Sequence, residues 1–155
     1  MEKRKNLHDS GLALVIVGLF HLFIYIATVV ESLVDGSVSK LLAGADPTVS
    51  AITIATLVII SVFFALLVSA DIFVGVKALK VSLEPTATIG YIVFAKIFCA
   101  VNLLGAIAAI ISLCTGSAPV IDSVLSLSGA VFGASLYVLA IKAGYDVRND
   151  VLASK

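Results

Sequence analysis

Charge is the scarcest thing in this chain. Only 13% of its 155 residues are charged, where a soluble domain averages about 25%. Ten basic residues balance ten acidic ones, with no basic stripe and no aromatic RNA-binding motif, so nucleic acid is not an expected partner. There is no tryptophan, and there are only two cysteines and two histidines. Cys99 and Cys114 share one apolar stretch, and on a single helix they stand about 22 Å apart. A disulfide needs Cα atoms within about 7 Å, so no intrachain bridge forms. No His/Cys/Asp spacing suits a metal, and no Ser/His/Asp set shares a plane through the chain. These absences remove redox, metal and hydrolytic chemistry; the expectation is a non-enzyme with no cofactor.

Apolar residues are what the chain has instead: 61% are hydrophobic and the mean hydropathy is +1.19. They gather into four stretches, 11–34, 49–76, 86–113 and 118–144. A helix rises about 1.5 Å per residue, so about 20 apolar residues cross a ~30 Å hydrocarbon layer. Each stretch exceeds that length. The expected fold is therefore all-α, one domain over 1–155, a bundle of four transmembrane helices in up-down-up-down order. The first stretch follows Lys3, Arg4 and Lys5, as a signal peptide would. It is too long for one and ends without a small-residue cleavage site, so it reads as a retained span.

The basic residues set an expected topology. Lys3, Arg4 and Lys5 precede the first span, Lys77 and Lys80 lie between the second and third, and Lys142, Arg148 and Lys155 close the fourth. Lys40 alone falls between the first two spans, and Lys96 lies within the third. An even number of spans puts eight of the ten on one face. By the positive-inside rule that face is the cytoplasm, so the expectation is a multi-pass protein of the cell membrane with both termini cytoplasmic. The first outer connection, 35–48, holds Gly36, Gly44, Asp46 and Pro47; the links at 81–85 and 115–119 are short. Glu31, Asp35 and Asp122 read as a solvated outer rim.

An ionisable side chain at mid-span costs about 2.5–3.5 kcal/mol on insertion scales and needs a partner or a purpose. Asp71 on the second span and Lys96 on the third are equidistant from a turn centred near 83–84, and are expected to face each other as an ion pair. Such a pair is either a clasp fixing the hairpin's register or a titratable gate. His21 and Asn102 fall near the midplane and, with Tyr25 and Tyr137, could line a polar cavity. For Asn102 an interhelical hydrogen bond is expected. For His21 the readings are a hydrogen-bonded core residue, a substrate or proton contact, or a haem ligand shared across a dimer. Small residues four apart recur in Gly129-x-x-x-Gly133, Ser61-x-x-x-Ala65-x-x-x-Ser69 and Gly105-x-x-x-Ala109, a spacing that lets backbones approach. Packing within the bundle and homo-oligomerisation explain them equally.

Several small membrane families do not fit. The first span has His21 rather than the central glutamate of small multidrug transporters, and Asp71-Ile72-Phe73-Val74-Gly75 does not match the microsomal glutathione-transferase motif. Fluoride channels lack this lysine asymmetry, and claudin-like proteins need a tryptophan. The exit Gly75-Val76-Lys77-Ala78, the Pro-containing turn after it and the glycine-bearing third span resemble small uncharacterised bacterial four-span integral membrane proteins. That resemblance covers about a third of the chain and implies no activity. The functional expectation is an integral membrane scaffold or accessory subunit, in contact with lipid and with a homo-oligomer or larger membrane complex. The alternative is a small oligomeric channel or transporter built on Asp71 and Lys96.

Overall fold

The computed structural model describes residues 2–34, 36, 43, 46–85 and 90–154. Four helices follow one another: α1 (Glu2–Val34), α2 (Pro47–Leu83), α3 (Gly90–Thr115) and α4 (Val120–Ala153). Each is long and apolar enough to span a membrane. α1 lies along α2, and α3 along α4; α1 and α4 join the two hairpins, while α2 and α3 touch least of the neighbouring pairs. The result is the expected four-helix membrane bundle. Asp35, Lys40, Gly44, Lys155 and the start of the third stretch at 86–89 lie outside the described residues.

Local chemistry explains the described helix ends. Asp46 caps α2 by accepting from the Thr48 backbone N–H at 2.8 Å, and Pro47 occupies the first turn, where its missing donor costs nothing. Pro85 follows the other end, after the Glu84 N–H has closed on the Lys80 carbonyl at 2.9 Å. α3 stops at Gly116, whose φ of +65° only glycine adopts cheaply, and the Ser117 N–H returns to the Ser112 carbonyl. Hydroxyls of Ser112, Thr115, Ser117 and Ser123 then tie this turn to the start of α4.

Three helices are longer than the apolar stretches foretold. α1, α2 and α4 contain 33, 37 and 34 residues, or roughly 50–55 Å each, against a hydrocarbon layer of ~30 Å. All three overrun at the end carrying the termini: α1 begins at Glu2, α2 runs to Leu83 and α4 to Ala153. Hydropathy marks where lipid ends, whereas a helix continues wherever its backbone and packing are satisfied. Leu7, Val81 and Val147 are buried in this polar stub, and Lys3 meets Asp150 at 2.7 Å across its ends. With both side chains about half exposed, solvent screens that bridge and it adds little to stability.

The core sits in the same half. Leu14, Val74, Ile92, Tyr137 and Ala140 are almost inaccessible and belong to one cluster with Leu7 and Val147. Beyond Gly18 on α1 and before Val68 on α2, no residue with a described side chain is buried. Lipid tails supply little hydrophobic drive between helices, so contact there depends on close packing of small groups. That packing is found where Gly11 and Gly18 of α1 meet Gly75 and Asp71 of α2. A Cβ added to Gly11 would lie 2.9 Å from the Gly75 carbonyl oxygen, and one added to Gly18 would lie 3.0 Å from the Asp71 Cβ.

Candidate functional site

Asp71 is the one charged residue buried among the described residues, and three helices converge on it. The Tyr137 hydroxyl, from α4, donates to its Oδ1 at 2.5 Å. His21 Nδ1, from α1, stands 3.5 Å from its Oδ2. The first is a short, charge-assisted hydrogen bond; the second is too long for a strong one and becomes an ionic contact when the imidazole is protonated. Gly18 makes the site physically accessible to α1, because its missing side chain lets that helix lie against the Asp71 stem. Phe98 stacks on the Tyr137 ring at 6.4 Å between centroids. Toward the other side, Phe64 meets His21 edge-on and stacks on Tyr25 at 4.8 Å. His21 keeps 44% of its side chain exposed, so the cluster reaches from the core to the bundle's outer surface.

The expected ion pair between Asp71 and Lys96 does not form. Lys96 Nζ instead donates to the Tyr145 hydroxyl at 2.8 Å and lies 5.0 Å from that ring's centroid. The reason is direction. Phe73 of α2 meets Phe94 of α3, which puts Asp71 and Lys96 at about the same height on antiparallel helices. Asp71 is buried and turned toward His21 and Tyr137, whereas Lys96 is exposed and turned toward Tyr145 of α4. Replacing Lys96 with Met should therefore cost only about 0.5–1 kcal/mol, the value of one exposed hydrogen bond. In an unfolding titration, combining Lys96→Met with Asp71→Asn should give the sum of the single effects within about 0.5 kcal/mol.

Of the four residues assigned to a polar cavity, His21 and Tyr137 meet through Asp71, and Tyr25 joins them through Phe64. Asn102 stands apart. Its amide donates to the Phe98 carbonyl one turn back on α3, at 2.9 Å, rather than across to another helix. Its side chain is accommodated by Gly133, where a Cβ would fall 2.5 Å from Oδ1. The other small-residue motifs pack less than their spacing implied. A Cβ on Gly129 would meet nothing within 4 Å, and one on Gly105 would make an ordinary 3.8 Å contact with Ala130. Ala109 is buried, but Ala65 and Ser69 are exposed and Ser61 is half-buried. The glycines held against another helix's backbone are Gly11, Gly18 and Gly75, while Gly133 and Gly144 make room for the Asn102 amide and the Tyr91 hydroxyl. Gly11 and Gly18 lie seven apart, two turns on one helix face, which is the signal a search at spacing four passes over.

Cys99 and Cys114 are both free thiols, Cys99 buried and Cys114 exposed. The Tyr91 hydroxyl, buried against Gly144, has no hydrogen-bond partner among the described residues. No protein-family model, curated protein or solved structure matches the chain. What the helices establish is a small four-span membrane protein in contact with a lipid bilayer.

Proposed function

We propose that this protein is a non-catalytic scaffold or accessory subunit of a membrane assembly, with both termini on the cytoplasmic face of the cell membrane. The observation that carries the reading is the use made of Asp71. The costliest group inside the bundle ties α2 to α4 through Tyr137 and to α1 through His21, and so fixes one hairpin against the other. A carboxylate held in this way stabilises one arrangement of helices instead of changing partners during a transport cycle. Support for the orientation comes from Lys3, Arg4, Lys5, Lys77, Lys80, Lys142 and Arg148, which all sit at the termini end. Support for assembly comes from the opposite half, where Phe20, Phe23 and Phe63 project outward with Ile59 and Leu104, each more than half exposed.

One observation favours a transport reading instead: three titratable side chains from three helices meet at one depth, and His21 opens that cluster to the outside. A flux assay separates the two. In vesicles containing the purified chain, proton, sodium and potassium fluxes should equal those of empty vesicles at every pH tried. The native detergent-extracted species should be heavier than one chain and should lose that excess mass in the Phe20→Ala/Phe23→Ala variant. A flux that Asp71→Asn abolishes would replace the scaffold reading with transport.

A further inference from the structure

The seam between α2 and α3 is the loosest between neighbouring helices, and its two ends differ in chemistry. Two hollows open along it. The one nearer the termini end encloses about 430 Å³ among Phe73, Lys77, Lys80, Glu84 and Tyr91. The deeper one is a shallow open groove of about 350 Å³ along Leu66, Ser69, Ala70, Phe73, Phe94 and Phe98. Phe73 borders both, with its ring edge-on to Phe94 at 5.5 Å. On α2 the lining positions 66, 70, 73, 77, 80 and 84 recur every three or four residues, so they form one continuous face. The deeper part of that face is almost wholly apolar; the part near the termini carries two ammonium groups. Lys77 Nζ lies 5.7 Å from the Phe73 centroid, and neither Lys77 nor Lys80 has an acidic partner within ion-pair distance among the described residues.

We infer that this seam binds an anionic glycerophospholipid from the leaflet on the termini side, and this goes beyond the scaffold reading. The charge and the apolar length lie in the order that such a molecule presents them. One acyl chain fills the groove between Leu66, Phe94 and Phe98, and the phosphate lies between Lys77 and Lys80. Basic pockets between membrane helices on the lysine-rich side have this character, and the surrounding bilayer delivers the ligand at high local concentration. Glu84 borders the phosphate end and opposes it, which gives the site a built-in control. A neutral zwitterionic lipid satisfies the groove but leaves the two ammonium groups without a net counter-charge.

The test uses the full chain, purified and delipidated in neutral detergent, with phosphatidylglycerol and phosphatidylcholine titrated in and the bound lipid counted by native mass spectrometry. Phosphatidylglycerol should be retained at least tenfold better. Lys77→Ala/Lys80→Ala should abolish that preference, since each lysine is worth up to about fivefold. Removing equal charge elsewhere, in Arg4→Ala/Lys5→Ala, should leave most of it. Glu84→Gln should strengthen phosphatidylglycerol binding. Ala70→Phe, which fills the deeper groove, should weaken retention of both lipids. Equal retention of the two lipids by the natural chain would overturn the proposal, as would a preference unmoved by the paired lysine variant. So would a lipid-independent dimer abolished by Ala70→Phe, which would place a second copy in the seam.

Discussion

Replacing Gly75 with Ala should destabilise the bundle by about 2 kcal/mol, and replacing it with Leu should prevent the α1–α2 hairpin from closing. A Cβ at that position would lie 2.7 Å from the Gly11 carbonyl oxygen, 2.7 Å from Val15 Cγ2 and 2.9 Å from the Val15 amide nitrogen. Two of those three atoms are backbone and cannot turn aside, so α1 and α2 must separate. Helix propensity works the other way, since Ala is favoured over Gly by about 1 kcal/mol inside a helix. A net loss therefore requires the collision to exceed that gain. Gly129→Ala is the comparison: with nothing within 4 Å of its added Cβ, only the propensity remains, and stability should rise by up to about 1 kcal/mol. Thermal unfolding in detergent measures both. Opposite signs are expected; the reverse result, with Gly129 sensitive and Gly75 tolerant, would put the close approach on α4.

That contrast shows what the sequence makes legible and what it does not. The four spans are readable because lipid imposes a single length and composition on each. The same signal goes silent at residues 2–10 and 145–153, where the chain is polar but still helical because Leu7 and Val147 are packed against neighbouring helices. Asp71 is recognisable as costly from composition alone. Its partner is not, because equal height does not fix which way a side chain faces: Asp71 turns to Tyr137 and Lys96 to Tyr145, and that is set by the rotation of each helix in the bundle. Tyr137 could be picked as a polar group near the right depth, but only the crossing of α4 over α2 brings its hydroxyl to the carboxylate. Glycine spacing misleads in a similar way. Spacing four marks a face, while which face meets a neighbour is decided by the tertiary arrangement.

The second large effect should appear when the Asp71–Tyr137 hydrogen bond loses its donor in one variant and its charge in the other. Tyr137→Phe leaves a buried carboxylate with His21 as its remaining contact, 3.5 Å away, and should cost about 2–3 kcal/mol. Asp71→Asn keeps an acceptor for the Tyr137 hydroxyl but removes the charge, and should cost about 1–2 kcal/mol. The double variant should then be less damaged than the sum of the two by about 1.5 kcal/mol, near the upper end measured for hydrogen bonds inside membranes. His21→Leu should cost less than Tyr137→Phe, because its contact is longer and its side chain is 44% exposed. Equilibrium unfolding of the reconstituted chain supplies all four values. A coupling below about 0.5 kcal/mol would mean that the two side chains act independently. Asp71 would then not be the tie between α2 and α4, and the argument for a fixed scaffold would fail with it.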